Sequence, residues 1–258
     1  MRRPRRAFTP PRPGPSGLKD ILSRAIAIFR AYPLPFMIIA FVTALPIGLV
    51  AIAIDLAYAV PDDDLQKALA TLIGVLPAVV LVPISGAAVA VAVIDCVNGG
   101  PPRVSHALEM VGERFWPLAA VIAVTTTGLV LGVMALLVPG IILLVFWLFA
   151  SPVVVVEGLG LRGALGRSRQ LVRGAFWPVL GVYLVIEIGA ALVGALLLIP
   201  LDAIALGFDG DAQKVVAGIA QIAVTTIAQP LAMIGVALMY LDRRVRAEGS
   251  WPKPSQAT

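Results

Sequence analysis

Polar and apolar positions in this chain alternate in long blocks rather than residue by residue. Six apolar runs stand out: Leu34–Ala59, Leu69–Cys96, Pro117–Val138, Ile141–Glu157, Pro178–Leu201 and Val215–Leu241. A helix needs about 20 apolar residues to cross a hydrocarbon layer of about 30 Å, so each run reads as a membrane span, the fourth being the shortest. The runs are continuous, as in Ile141-Ile142-Leu143-Leu144-Val145-Phe146-Trp147. A membrane barrel would instead alternate in stretches of about ten residues. Lipid offers the backbone no hydrogen-bond partners, and a helix satisfies its own. Pro139-Gly140 separates the third run from the fourth. Unbroken, the two would make a helix of about 60 Å, twice the membrane core. Pro139-Gly140 is therefore read as the tight turn joining two helices.

Between the runs the pattern takes a helical period. Leu18, Ile21, Leu22, Ala25 and Phe29 share a face with Asp20 and Arg24 opposite, and Val104, Leu108, Val111 and Phe115 align in a second stretch. In a third, Leu161, Leu165, Ser168 and Val172 align, while Arg162, Arg169 and Arg173 form a basic stripe. Such amphipathic helices lie in the membrane interface. Each leads into an aromatic-proline pair: Tyr32-Pro33, Trp116-Pro117 and Trp177-Pro178. The ring anchors at headgroup depth, and proline suits the first turn of the helix that follows. The expected fold is an all-α integral membrane protein, with six transmembrane helices as three hairpins, each preceded by a short interfacial amphipathic helix. Residues 17–247 form this membrane domain. Disordered tails are expected at 1–16, rich in Arg and Pro, and at 248–258.

Composition narrows the function classes. Hydrophobic residues make up 59% of the 258 and charged ones 14%, with a mean hydropathy of +0.96. A soluble domain carries about 25% charged residues, so a soluble enzyme, a disordered chain and a nucleic-acid-binding module are all disfavoured. The charges are also sorted. Among the basic residues only Lys67 and Lys214 fall in the odd-numbered connections between runs, together with Asp62, Asp63, Asp64, Asp202, Asp209 and Asp211. Cytoplasmic loops carry the excess of Lys and Arg, so both termini are expected in the cytoplasm. The expected partners are the bilayer and its anionic phospholipid headgroups, contacted by Arg162, Arg169 and Arg173, and not nucleic acid.

Little conventional catalytic chemistry is present. Cys96 and His106 are each the sole residue of their type, which leaves no disulfide framework and no Cys- or His-based metal centre. No zinc-protease, nucleophile-elbow or phosphate-loop pattern occurs. No cofactor and no enzymatic activity are expected. Polar residues inside the spans say more. Thr43, Ser85, Thr126, Glu187 and Gln229 each lie about ten residues or slightly more from the cytoplasmic edge of their run, roughly 15 Å deep. Glu187 is expected to face the bundle interior, with Thr126 and Gln229 as partners in a polar cluster. A charged carboxylate at such depth costs at least about 2.5–3.5 kcal/mol, and an intramembrane acid is by default a functional candidate. Asp95, Glu157 and Asp242 close the returning helices, and pairing with arginines of the interfacial helices, such as Arg114, Arg169 and Arg173, is expected.

Several of these segments carry a family resemblance: Pro139-Gly140-Ile141, Ser151-Pro152-Val153-Val154-Val155-Val156-Glu157-Gly158, the stretch Ala164–Gly174, Phe176-Trp177, and Tyr240-Leu241-Asp242-Arg243-Arg244-Val245-Arg246. They resemble the six-helix membrane domain fused to some glycerophosphodiester phosphodiesterases, and the free-standing bacterial membrane proteins that share it. The resemblance spans residues 17–247. It implies a multi-pass protein of the bacterial plasma (inner) membrane, without the phosphodiesterase chemistry, which belongs to a separate soluble domain. The expected function is a membrane scaffold or lipid-interacting module. The alternative is a small-solute or proton-coupled transporter using Glu187.

Overall fold

The computed structural model describes residues 17–57 and 64–249. The expected N-terminal tail, and the C-terminal tail beyond Gly249, lie outside them. Among the described residues there are ten helices and no strand: α1 (Leu18–Ala31), α2 (Pro33–Ala57), α3 (Asp64–Val97), α4 (Val104–Glu113), α5 (Phe115–Ala135), α6 (Leu137–Trp147), α7 (Ala150–Glu157), α8 (Leu161–Val172), α9 (Phe176–Ala205) and α10 (Gly210–Glu248). Six stretches are long and apolar enough to cross a membrane: α2, the Leu69–Val97 part of α3, α5, α6 with α7, α9 and α10.

Consecutive long helices pack together, α2 on α3, α5 on α6 and α9 on α10, but α2 packs as extensively along α10. The α2–α10 contact is a reciprocal fit. Ile222 of α10 fills the space beside Gly48, and Ile52 of α2 fills the space beside Gly218. Apolar helices in lipid gain little from hiding apolar surface, so close approach at small residues is what holds them together. The helix α10 runs through the centre, burying a face from Ala220 to Leu241. By contrast α9 lies at the edge, with only Val179, Ile186 and Ala205 buried.

Helices α1, α4 and α8, which lead into α2, α5 and α9, cap one end of the bundle, the basic end. Helix α1 buries Ile21, Ala25 and Ile28, and packs on α10. Helix α8 buries Ala164, Ser168, Leu171 and Val172 against α7 and α6. Helix α4 packs on α3 through Ala107 and Val111, whereas Leu108 and Phe115 are exposed. The inward face of α4 is thus rotated from the one its apolar spacing predicted.

The connection between the third and fourth spans also differs from expectation. The chain reverses at Leu136, which is extended at φ −171° and ψ 144°, and Pro139-Gly140 falls within the first turn of α6. Proline is tolerated there because the first N–H groups of a helix have no intrahelical acceptor. Gly140 lies against the Gly132 backbone and Val133, so the dipeptide permits close helix approach rather than forming the turn.

Candidate functional site

The fourth span is not one helix. It breaks between Trp147 and Ala150, with Phe149 at φ −97° and ψ 5°. Pro152 is the local cause: it has no N–H to offer the carbonyl four residues earlier. The break is stitched from outside. The Ser168 hydroxyl of α8 accepts a hydrogen bond from the Phe149 N–H at 3.2 Å and donates one to the Phe146 carbonyl at 2.7 Å. Ser168 is fully buried. Irregular backbone at membrane depth is tolerated only where protein covers it or where it lines a cavity, and both conditions hold here.

The cavity beside this break has a volume of about 560 Å³, within the ligand-pocket range of about 300–1,000 Å³. Its walls are mainly apolar side chains of α3, α5, α6 and α10. The polar groups come from Thr125 and Thr126 of α5, Ser151 of α7, and Tyr183 and Glu187 of α9. Glu187 is the one charged side chain lining it among the described residues. Tyr183, one turn before Glu187 on α9, lines the same space. The cavity is an open crevice: α9 is held along α10 and touches α6 only lightly, and Glu187 and Val130 remain exposed.

The expected trio is only partly brought together. Glu187 and Thr126 line the same crevice, and Gln229 does not. Ile186 rather than Glu187 packs into the interior, against Gly235, and Glu187 faces the crevice. The antiparallel register explains Gln229. Gly235 sits at the level of Ile186 and Ala228 at that of Gly194, so Gln229 is more than a turn from Glu187 along the axis. The Gln229 Oε1 atom is buried without a hydrogen-bond partner among the described residues. Tyr183, Thr125 and Ser151 join the site in its place.

At the basic end, Glu157 is the hub. It accepts hydrogen bonds from the Tyr240 hydroxyl at 2.8 Å and Arg167 Nε at 3.0 Å, with Arg244 Nε 3.8 Å away. Arg167 and Arg244 also pair with Glu248, which ties α7, α8 and α10 together. Glu157 therefore meets an arginine of α8, though not one of the three named, and Asp242 meets an arginine on its own helix. Arg167 lies beside the buried face of α8, while Arg169 points outward and stacks over the Phe146 ring at 5.6 Å. Arg114 donates to the Val154 carbonyl at 3.3 Å near the end of α7. Gly158, at φ 72°, ends α7 right beside that guanidinium, where a Cβ would collide with it. Asp95 meets His106 Nδ1 at 3.3 Å, and Asp242 pairs with Arg246 at 2.8 Å.

Replacing Tyr240 with Phe tests the hub. The ring stays packed against Phe149, 6.0 Å between centroids, and only the hydroxyl is lost. A hydrogen bond to a charged group contributes about 1.5–3 kcal/mol. The expected result is a loss of that size in the unfolding free energy of the detergent-purified protein, with Glu157→Gln lowering it as well.

Arg162, Arg169 and Arg173 are exposed on the outer side of α8 and its end. At the starts of α9 and α5, Trp177 and Trp116 are 76% and 80% exposed, each set edge-on to a preceding Phe. No curated protein and no solved structure matches this chain. A family model does match, over residues 27–242. The chain belongs to the family described as the domain of unknown function DUF7847.

Proposed function

We propose that this is a six-crossing plasma-membrane protein with both termini in the cytoplasm, acting without catalysis as a lipid-interacting scaffold. In this reading α1, α4 and α8 lie in the inner interface, and each leads into a transmembrane hairpin. The observation that carries it is the outward, exposed stripe of Arg162, Arg169 and Arg173, followed four residues after Arg173 by an exposed Trp177. Arginines at a membrane surface gain about 1 kcal/mol each from anionic lipid. Exposed tryptophans favour the same depth. The sorting of basic residues along the sequence supports the orientation, and the resemblance to the phosphodiesterase-associated membrane domain supports a module that carries no chemistry of its own.

Native mass spectrometry of the purified protein tests the lipid reading. Retained phosphatidylglycerol is expected in preference to phosphatidylcholine, and replacing all three arginines with Gln is expected to remove most of that preference. An unchanged preference rejects the assignment. Orientation is tested by impermeant thiol labelling in a Cys96-free background. A cysteine at Asp209 should react from outside, while those at Ser105 and Arg169 should not; external labelling at position 169 rejects the topology.

The crevice favours a second reading, a small-solute or proton-coupled transporter using Glu187. Interrupted helices beside a polar site are a recurrent feature of transporters. Flux into proteoliposomes decides it: Glu187→Gln should keep the fold and abolish any pH-dependent uptake.

A further inference from the structure

We propose that the crevice around Glu187 is a binding site for a lipophilic organic cation, a membrane-soluble molecule carrying a protonated or quaternary amine. The proposal concerns binding alone. It stands whether or not the crevice transports, and it is independent of the headgroup contacts at the basic end.

Three features select this class. The first is charge. Glu187 is the only ionisable carboxyl lining the crevice among the described residues, and no Lys or Arg lines it. An anionic amphiphile would find no basic side chain in this apolar space to balance its charge. A cation would neutralise Glu187, and pairing is what offsets the cost of holding a carboxylate away from water.

The second is the aromatic lining. Trp147 and Tyr183 border the same space as Glu187. Trp147 is fixed by packing against Gly128 of α5, where any side chain on that glycine would collide with the indole. Tyr183 lies one turn before Glu187 on α9 and lines the same space. Aromatic rings near a carboxylate are the usual surroundings of a bound organic cation, attracted by the ring quadrupole.

The third is access and shape. The remaining walls are apolar, from residues such as Val82, Leu129, Leu143 and Met233. The crevice is open beside α9, which only α10 holds firmly. A ligand dissolved in the bilayer can therefore enter sideways. An inorganic cation would find too few oxygen donors. A hydrophilic amine would leave the apolar walls unfilled.

The test uses the full chain purified in detergent and radiolabelled tetraphenylphosphonium, followed by scintillation proximity. Saturable binding near one site per chain is expected. Glu187→Gln is expected to weaken it at least tenfold, and Trp147→Leu several-fold. Tetraphenylborate, the size-matched anion, is titrated separately by calorimetry and is expected to show no saturable binding. The proposal is overturned if the wild-type protein binds no phosphonium saturably, if it binds the borate as tightly, or if a folded Glu187→Gln protein binds the phosphonium undiminished. Should Glu187→Gln fail to fold, the cation–anion comparison on the wild-type protein decides alone.

Discussion

Substituting Gly48 with Val is expected to destabilise the protein by about 1–3 kcal/mol, the usual cost of forcing extra carbon into a packed contact. A Cβ at this position overlaps Ile222, and one at Gly218 overlaps Ile52. The two glycines and two isoleucines repeat at a spacing of four on antiparallel helices, so each helix supplies both a notch and the side chain that fills its partner's notch. Gly218→Val should behave alike. The stronger test is the pair. Ile222→Ala in the Gly48→Val background makes room for the new side chain, and part of the lost stability should return. Such non-additivity is expected of residues in direct contact. Denaturant titration of the wild type, Gly48→Val, Ile222→Ala and the double variant closes the cycle. Simple additivity would mean that α2 and α10 do not meet at this point.

Ser168→Ala is expected to act at a distance in sequence. It removes one hydroxyl from α8 and strands two backbone groups in the fourth span, the Phe149 N–H and the Phe146 carbonyl. A stranded buried group costs about 1–3 kcal/mol, so the loss should exceed that of an ordinary buried Ser→Ala change. Hydrogen exchange gives a local reading. The Phe149 amide should exchange faster in the variant, while amides in the middle of α2 keep their protection. A Phe149 amide that stays as protected as before would show that the break is held by something other than Ser168.

The long blocks of apolar residues made the spans legible, because length and hydropathy are properties each segment carries by itself. The break in the fourth span was not legible in the same way. Ile141–Glu157 is apolar throughout, and hydropathy says nothing about which hydrogen bonds close. The Ser151-Pro152 pair was the available signal, since a proline inside a helix frees a carbonyl. Pro139-Gly140 misled for a related reason: the same dipeptide serves in a turn or in the first turn of a helix, and only the extended Leu136 decides between them. The candidate site divides along similar lines. Counting depth from the aromatic-proline pairs placed Glu187 and Thr126 in one crevice. The count back from Asp242 failed for Gln229, because depth along a span does not fix register against a neighbour. Arg167 could have been found. It lies three residues after Ala164 and next to Ser168, on the side of α8 that turns inward.

The pairing of Gly48 with Ile222 also bears on how the protein is made. These residues belong to the first and last crossings, and Ile222 leaves the ribosome roughly 170 residues after Gly48. At about 5–20 residues per second, that interval is on the order of ten to thirty seconds. Throughout it the newly inserted α2 sits in the bilayer with its notch empty, open to whatever chaperone, insertase or neighbouring helix can fill it. A nascent chain that stalls before α10 emerges leaves that notch permanently unfilled, and a membrane protease could recognise the unfinished product by it.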